Sequence, residues 1–307
     1  MPPIEMVAVI ATRGRGHLLK TLASLENAGV SSILKRVIVV ENGPEKLLEN
    51  VLKDRSIAVA EYFHFEEANK SAALNFVLTK ISEDPLVIFF DDDVLLDVRC
   101  LTAYADAVKS FGRGHFFGGK TGALYEEEPP PWLKMYLPVS ATGLSYNVSG
   151  AGPVDKGSAK RGWFLGFNWA AFRSDLLQAK GFDPRYGPGS YSHATGQETN
   201  MQRRLKDAGI APIYVPEAVV THWVPKKQCT WEWALNRRRR NGIETALCSA
   251  GVKIMFKHTW MYFRAFLKLL ILKISLKKNK DQILAVSRFD WAYTKGIMDG
   301  YLWKLTH

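Results

Sequence analysis

Two stretches of this chain, residues 6–11 and 86–90, consist almost entirely of apolar residues rich in branched side chains. Continuous apolar runs of this length are typical of strands buried on both faces, as in parallel sheets. Leucines recur at helical spacing through residues 18–25, and residues 36–40 form the next apolar run. The chain thus alternates strands with helices. This predicts an α/β fold with a Rossmann-like, mostly parallel central sheet flanked by helices on both faces.

The pattern changes beyond residue 112. Before it, residues 59–63 are a third strand candidate, and helical spacing predicts a helix that begins in the segment NKSAALN, residues 69–75. After it, glycine and proline are frequent in residues 126–132 and 143–162, which we expect to form long loops over a site. Regular structure is expected again from residue 170 onwards. Residues 170–178 are expected to be ordered, residues 198–208 to form a helix, and residues 213–215 and 218–221 to form two short strands.

Size and composition exclude a disordered or fibrous protein. The chain has 307 residues, of which 47% are hydrophobic and 23% charged, enough apolar material for a full core. We expect one large domain over residues 1–245 and a helical extension over residues 246–307. Three cysteines without paired spacing indicate neither a disulfide framework nor a zinc ribbon, and no signal-peptide pattern is present. A reducing, cytoplasmic location is therefore expected.

The chain is strongly basic, with 41 Lys and Arg against 30 Asp and Glu and a net charge of +11. A balance of this kind indicates an anionic partner. Nucleic acid, phosphorylated small molecules and acidic lipid head groups all remain open. Four consecutive arginines, residues 237–240, add to the basic character of the last third.

The window of residues 254–276 mixes aromatic residues, leucine and lysine. Charged residues at the centre of a spanning helix cost about 2.5–3.5 kcal/mol each on insertion scales, and Lys257, Arg264, Lys268 and Lys273 interrupt this window. A membrane span is therefore not expected. Peripheral contact with the inner face of the cell membrane and ordinary packing on the catalytic domain remain two open alternatives.

The strongest chemical signal is FFDDDV, residues 89–94, where a predicted buried strand ends in Asp91, Asp92 and Asp93. Charge at such a place is costly unless a cation or strong hydrogen bonds compensate it. Carboxylate oxygens suit Mg²⁺ or Mn²⁺, with phosphates and water completing the shell. The alternative is a solvated acidic turn.

Other polar residues fall where a sheet of this kind binds ligands. Lys70 stands at a predicted helix start, which prefers anions, so it either helps to bind one or is an ordinary solvated lysine. Glu41 follows the second strand, at the carboxyl edge of the sheet, where a plain turn is the alternative. Glu198 opens a predicted helix and is either a general base or a helix-dipole partner. His222 is either a metal ligand or a packed histidine.

Taken in order, nine segments resemble the inverting nucleotide-sugar transferases of glycosyltransferase family 2, whose catalytic domain has the GT-A fold. The match runs from about residue 6 to about residue 242. The segments are ATRGR, VVENG, NKSAALN, FFDDDV, GFNWAAFRSDLL, GFDPRYGPG, GQETNMQRRL, YVPEAVVTHWVP and RRRRNG. Each alone is unspecific, but the ordered set is not. The resemblance implies a nucleotide-sugar-binding half over about residues 1–120 and an acceptor half over about 121–245.

The resemblance also implies residue roles. Asp91 and Asp93 match the outer acids of the metal motif, and Glu198 matches the catalytic base, with Gln197 and Glu198 replacing the family's usual Glu-Asp pair. The remaining implied roles are nucleotide-sugar binding by Thr12, Arg13, Glu41, Lys70, Asp91, Asp92 and Arg240, a further metal or diphosphate contact by His222, and acceptor binding by Trp132, Trp163 and Trp169. Core packing is the alternative for these tryptophans.

The implied function is an inverting glycosyltransferase that uses Mn²⁺ or Mg²⁺. It would move a sugar from a nucleotide-diphosphate donor, with a UDP-sugar expected first, to a hydroxyl of a saccharide or lipid-linked saccharide, in surface polysaccharide biosynthesis. Nucleic acid is not an expected partner. Two alternatives stay open: a retaining transferase or nucleotide-sugar pyrophosphorylase, which would not need Glu198 as a base, and a basic nucleic-acid- or membrane-binding adaptor without catalysis.

Overall fold

The computed structural model describes residues 5–14, 17–53, 60–145, 152–153, 163–249, 252–274 and 280–307. Within these residues the chain forms nine strands: β1 (Met6–Thr12), β2 (Arg36–Asn42), β3 (Ala60–Phe65), β4 (Leu86–Asp91), β5 (Val94–Leu96), β6 (His115–Tyr125), β7 (Gly152–Pro153), β8 (Trp169–Phe172) and β9 (Ala211–Val224).

Helices connect and follow the strands. They are α1 (Leu18–Asn27), α2 (Val30–Ile33), α3 (Glu49–Lys53), α4 (Lys70–Lys80), α5 (Cys100–Phe111), α6 (Pro131–Lys134), α7 (Val139–Thr142), α8 (Arg173–Gln178), α9 (Gln197–Asp207), α10 (Trp231–Cys248), α11 (Val252–Ile274) and α12 (Lys280–Thr306), with a short 3-10 helix at Lys226–Gln228. The strands and helices expected before residue 112, and the helix expected over residues 198–208, are confirmed.

All described strands belong to one sheet in the order β3-β2-β1-β4-β8-β6-β9-β5, with β7 paired to β9. The pairs among β3, β2, β1 and β4 are parallel, as is β6 with β9, whereas β8, β5 and β7 run antiparallel to their neighbours. The predicted mostly parallel sheet is confirmed. Thr12 and Asp91 end adjacent strands, and Glu41 stands at the same edge.

The apolar strands explain why helices cover both faces of the sheet. In β1, Met6, Ala8 and Ile10 join one core with α1 and α5, while Val7 and Val9 join a second core with α4 and α9. Successive side chains of a strand point to opposite faces, so a strand that is apolar at every position needs cover on both sides.

Strand β6 corrects the expectation of loose chain after residue 112. Its sequence HFFGGKTGALY reads as a turn because of its glycines, yet the glycines serve close packing. A Cβ on Gly118 would lie 1.9 Å from Phe164 Cγ, and one on Gly119 would lie 1.9 Å from the carbonyl oxygen of Ala218. The strand therefore needs residues without side chains at these two positions.

Strand β9 corrects a second expectation, because the two short strands expected at residues 213–215 and 218–221 are parts of one strand of 14 residues. Its pairing with β6 is interrupted between Gly119 and Thr121. Pro216 falls within this irregularity, where a residue without a backbone N–H is tolerated. Of the loops expected over residues 126–132 and 143–162, α6 occupies part of the first, and residues 146–151 and 154–162 lie outside the described residues.

The chain divides into two compact units. The first unit comprises Met1–Glu126, Val139–Pro184 and Gln197–Val224 and contains the sheet, and the second comprises Glu127–Pro138, Arg185–Gly196 and Pro225–His307. Helix α10 runs through residue 245, where the end of the large domain is expected, and that boundary stays a prediction. In the second unit α12 packs closely on α10, since a Cβ on Gly296 would lie 1.8 Å from the carbonyl oxygen of Arg239.

The C-terminal region is helical, as expected. Helix α11 covers most of the window of residues 254–276. Among the described helices, none combines the length and the hydropathy needed to cross a bilayer.

Candidate active site

The three aspartates lie at the carboxyl end of β4 and in the turn to β5. Asp92 and Asp93 are buried, with 3% and 6% of their surface exposed, and Asp91 is half-buried. Two hydroxyl groups of α1 secure the strand that follows: Thr21 Oγ1 donates to the carbonyl oxygen of Val94 at 2.8 Å, and Ser24 Oγ accepts from the Leu96 N–H at 3.2 Å. The turn is thus a packed element of the sheet edge and differs from a solvated acidic turn.

Asp92 is held by the end of β1. Thr12 Oγ1 donates to Asp92 Oδ2 at 2.5 Å, and both side chains are buried. The same hydroxyl oxygen accepts the Gly14 N–H at 3.1 Å, which orders the start of the chain after β1. Arg13 lies beside them and is exposed. Thr12 and Asp92 therefore form one buried unit at the edge where a nucleotide is expected.

Asp93 lies beside His222. Val94 pairs with His222 across β5 and β9, and this register places His222 Nε2 3.3 Å from Asp93 Oδ1. The imidazole stacks on Phe167 with a ring-centroid distance of 5.0 Å. Its Nδ1 is buried without a hydrogen-bond partner among the described residues.

This pair fits a divalent cation. Neighbouring ligands of an octahedral ion with metal–oxygen distances of about 2.1 Å lie about 3 Å apart, close to the Asp93–His222 separation. A carboxylate suits Mn²⁺ and Mg²⁺ alike, whereas an imidazole suits a transition metal better. Within the described residues no three His, Cys, Asp or Glu side chains form a metal-holding group, so a donor's phosphates and water would have to supply the other ligands.

Asp91 has a different partner. Lys70, the first residue of α4, donates from Nζ to Asp91 Oδ1. Burial lowers the pKa of Lys70, but Asp91, with further contributions from Glu198 and Asp92, outweighs this and raises the pKa above its usual value. The ammonium group is therefore charged at neutral pH. In this arrangement Asp91 is an ion-pair partner, and its role as a metal ligand stays a prediction.

The placement of Lys70 follows from the cap of α4. Asn69 accepts the Ala72 N–H at 3.1 Å through Oδ1, and its Nδ2 donates to the carbonyl oxygen of Pro184 at 3.0 Å. The side chain of Asn69 thus fixes the helix start and links it to the segment after α8. Lys70 comes directly after this cap, and its ammonium group therefore lies beside Asp91 at the end of β4.

Glu198 and Lys70 line the same cleft, together with Phe89, Trp169 and Gln197. Glu198 is in the first turn of α9 and half-buried. Its carboxylate lies against Gly166, where an added Cβ would be 3.1 Å from Glu198 Cδ. Gln197 Nε2 is buried without a hydrogen-bond partner in the described part of the chain. The cleft therefore combines a carboxylate, an ammonium group and an amide donor.

Glu41 is committed to its own loop. Its carboxylate accepts the N–H groups of Leu47 at 3.0 Å and Leu48 at 3.2 Å and the hydroxyl of Tyr62 at 2.6 Å. Burial is the main cause that raises the pKa of Tyr62, and the hydrogen bond to Glu41 raises it further. The phenol therefore stays protonated and donates to Glu41. Glu41 orders the segment that follows β2, and direct contact with a nucleotide stays a prediction.

The expected acceptor-binding tryptophans have different environments. Trp169 is 1% exposed and packs against Phe89 at 4.9 Å and edge-on against Phe182, which agrees with the core alternative. Lys206 Nζ lies 4.0 Å from the ring centroid of Trp163. Trp132 belongs to the second unit and is exposed.

The basic run also belongs to the second unit. Arg240 donates from Nε to the carbonyl oxygen of His193 at 2.8 Å, and from Nη2 to that of Gly187 at 3.3 Å. Burial, with Arg237 nearby, lowers the pKa of Arg240 from its usual value. The four arginines are therefore not equivalent, because Arg240 donates to Gly187 near the end of the glycine-rich segment GFDPRYGPG.

Three residues that shape the site were not expected from the sequence: Thr21, Tyr62 and Gly166. The signal for Thr21 is a hydroxyl residue within the leucine face of α1, where only a buried hydrogen bond explains it. Gly166 lies within the quoted segment GFNWAAFRSDLL, but its contact with Glu198, 32 residues away, has no sequence signal.

An α/β sheet whose parallel strands end in buried carboxylates beside a half-buried ammonium group is typical of a ligand-binding enzyme domain. The sequence profile of glycosyl transferase family 2 matches residues 7–172, more than half of the chain, and the chain belongs to this family. It is therefore a glycosyltransferase, and the alternative of an adaptor without catalysis was wrong.

Solved structures agree on the GT-A fold. A mannosyltransferase from Pyrobaculum calidifontis, PcManGT, in complex with GDP-Man and Mn²⁺, is similar with a TM-score of 0.57 and 14% identity, over 98% of this chain and 87% of that chain. GalNAc-T7 with UDP, GalNAc and Mn²⁺ is similar with a TM-score of 0.55 and 10% identity, over 99% of this chain and 58% of that chain. No curated protein sequence matches the chain.

Proposed function

We propose that the chain is an inverting, metal-dependent transferase that moves a sugar from a nucleotide-diphosphate donor, a UDP-sugar first, to a hydroxyl of a saccharide or lipid-linked saccharide. The observation that carries this proposal is the cleft in which Glu198 and Lys70 lie together next to the acidic turn. A base for the acceptor and positive charge for the leaving group are the two needs of such a transfer.

The donor diphosphate would be bound at the edge formed by β1, β4 and β9. Asp93 and His222 would hold Mn²⁺ or Mg²⁺, which, when bound, stabilises the negative charge that grows on the leaving diphosphate. Mn²⁺ in both solved neighbours and the imidazole ligand support Mn²⁺ as the first choice. Lys70 stays protonated and adds a positive charge at the same edge.

Glu198 would be the general base. Its carboxylate takes the proton of the acceptor hydroxyl as that oxygen bonds to the anomeric carbon, while the bond from this carbon to the diphosphate oxygen breaks and the nucleoside diphosphate leaves. Attack from the face opposite the leaving group inverts the configuration. Glu is one bond longer than the family's Asp, and the small residue Gly166 leaves the space this carboxylate occupies. General-base catalysis contributes about 10²–10⁴-fold to such a rate.

The remaining roles are assigned by resemblance. Arg13 and Thr12 would bind the nucleoside, Arg240 the diphosphate, and Trp132 and Trp163 the acceptor. Surface polysaccharide biosynthesis is the proposed setting.

Calorimetric titration with UDP, GDP and dTDP, each with and without Mn²⁺ or Mg²⁺, tests the donor side. We expect binding of one nucleotide that depends on the cation and is weakened at least about 100-fold in Asp93→Ala and His222→Ala. Asp106→Asn, at an exposed acid of α5, is the matched control and should bind like the wild type. Binding of no nucleotide, or equal binding by Asp93→Ala, would overturn the assignment.

A further inference from the structure

Helix α11 has an unusual charge pattern. Its 23 residues contain five Lys and Arg and no Asp or Glu. The chain as a whole carries 30 acidic residues, so their absence from this helix leaves its basic groups without acidic partners along the same helix. Such a helix favours contact with an anionic surface.

One side of α11 packs on α12 within the second unit. Tyr262 lies against Trp291 with ring centroids 4.6 Å apart, and His258 Nδ1 is 2.8 Å from the hydroxyl of Tyr301. Leu272 is buried. At about 100° per residue these residues share one side of the helix, which is therefore accounted for by folding.

The opposite side carries large apolar side chains that are exposed. Six of them fall within an arc of about 100°, and each has between 47% and 65% of its surface exposed. They are Phe256, Trp260, Phe263, Leu267, Leu270 and Ile271. We name them the apolar face of α11. A contiguous exposed face of this kind is uncommon unless it binds something.

Basic side chains border this face on one side. Lys253, Lys257, Arg264 and Lys268 follow it on the helical wheel, and all four are exposed. The guanidinium of Arg264 lies 5.4 Å from the ring centroid of Trp260, so charge and aromatic surface are in contact. Aromatic rings and basic residues on adjoining arcs match the boundary between lipid head groups and acyl chains.

We propose that the apolar face of α11 docks on the surface of an anionic lipid bilayer, with the helix lying in the plane of the interface. Charge favours a lipid surface over a second copy of the chain, because two copies of a protein of net charge +11 repel each other. An anionic bilayer instead offers acyl chains to the apolar side chains and head-group charge to the lysines. The inference does not depend on the proposed reaction.

Flotation of the full-length protein with vesicles tests this. Vesicles of phosphatidylcholine alone are compared with vesicles that contain phosphatidylglycerol at about one third. We expect binding only to the anionic vesicles, and a decrease of about tenfold or more in the partition coefficient for Phe263→Ser/Leu267→Ser. Val98→Ser is the matched control, because Val98 and Phe263 are both 63% exposed, and it should bind like the wild type.

The contribution of charge to vesicle binding is measured with the variant Lys257→Glu/Lys268→Glu, and Lys109→Glu on α5 is the control. The first variant should lose most binding at low salt and the control little.

Lipids brominated in the acyl chains should quench wild-type tryptophan fluorescence more than that of Trp260→Phe, which reports insertion of this ring. Near-ultraviolet circular dichroism verifies that each variant is folded.

Two outcomes overturn the proposal. One is equal partition of the wild type and Phe263→Ser/Leu267→Ser into anionic vesicles. The other is a stable dimer in sedimentation velocity without lipid that this double variant converts to a monomer, because the face would then be occupied by a second copy.

Discussion

The parallel strands of the sheet carry charged residues at both ends, and the two ends differ in how these charges are solvated. At the amino end, Lys35 pairs with Glu5 at 2.8 Å and Glu83 at 3.2 Å, with all three side chains at least 40% exposed. At the carboxyl end, Asp92 and Asp93 are almost completely buried. Exposed ion pairs contribute at most about 1 kcal/mol, whereas buried carboxylates are costly and need specific partners. The carboxyl end of the sheet therefore differs from the amino end in the burial of its carboxylates and in their specific partners, and not in the presence of charge.

The largest effect is expected at the carboxyl end, from Glu198→Gln. The amide cannot accept the proton, so kcat should fall about 10²–10⁴-fold while the nucleotide Kd stays within about twofold. Product formation from a nucleotide sugar measures this. Asp207→Asn, at the last residue of the same helix, should keep wild-type kcat. An unchanged kcat in Glu198→Gln would favour a retaining transferase, and a retained anomeric configuration in the product, seen by NMR, would establish it.

A smaller effect is expected from Thr12→Val, which keeps the shape but removes the hydrogen bond to Asp92. Hydrogen bonds to charged groups contribute about 1.5–3 kcal/mol, so urea denaturation should give a free energy of unfolding lower by about that amount. Thr79→Val removes an exposed hydroxyl that bonds the carbonyl oxygen of Phe76, and should change stability by less than about 0.5 kcal/mol. Equal effects would remove the distinction between buried and exposed partners.

The smallest effect is expected at the amino end, from Asp84→Asn. Burial raises the pKa of Asp84, but hydrogen bonds from Ser174 and the guanidinium of Arg113 outweigh this and lower its pKa below the usual value. The ionised form therefore stabilises the fold above about pH 4, and this contribution is lost as the pH falls through the folded-state pKa. Because solvent screens the pair, the wild type should exceed the variant by at most about 1 kcal/mol at pH 7.

Thermal unfolding from pH 7 down to pH 2 measures the difference. The two proteins should converge in stability at the acidic limit. A gap that widens as the pH falls would contradict the assigned direction of the pKa.

The strands of the sheet were predictable where the pattern of apolar residues in the sequence matches the burial of the strand. Strand β1 is buried at all seven positions and apolar at the first six, and only a strand covered on both faces satisfies that pattern. Strand β6 was not predictable, because glycine is a turn signal in sequence, and the reason for Gly118 is a ring of Phe164, 46 residues away. Local propensity does not contain such a contact.

The sequence indicated candidate site residues, whose roles stay predictions, but not how their side chains pair. The acids after β4 are visible because a buried strand ends in charge, but the sequence does not show that Asp91 binds Lys70 while Asp93 lies beside His222. These pairings depend on strand register and on the cap of α4. Trp169 shows the opposite case, since its residue type suggested sugar stacking and its burial belongs to the core.

The irregularity between β6 and β9 limits how the chain can change in length. Gly119 pairs with Val215, and Thr121 pairs with Val220, so residues 216–219 lie between two paired stretches. Removing or adding one residue there would reverse the face to which every later side chain of β9 points. His222 would then exchange places with Trp223, and the imidazole would leave Asp93. This short segment therefore does not admit the insertion or deletion of a single residue, unlike a surface loop.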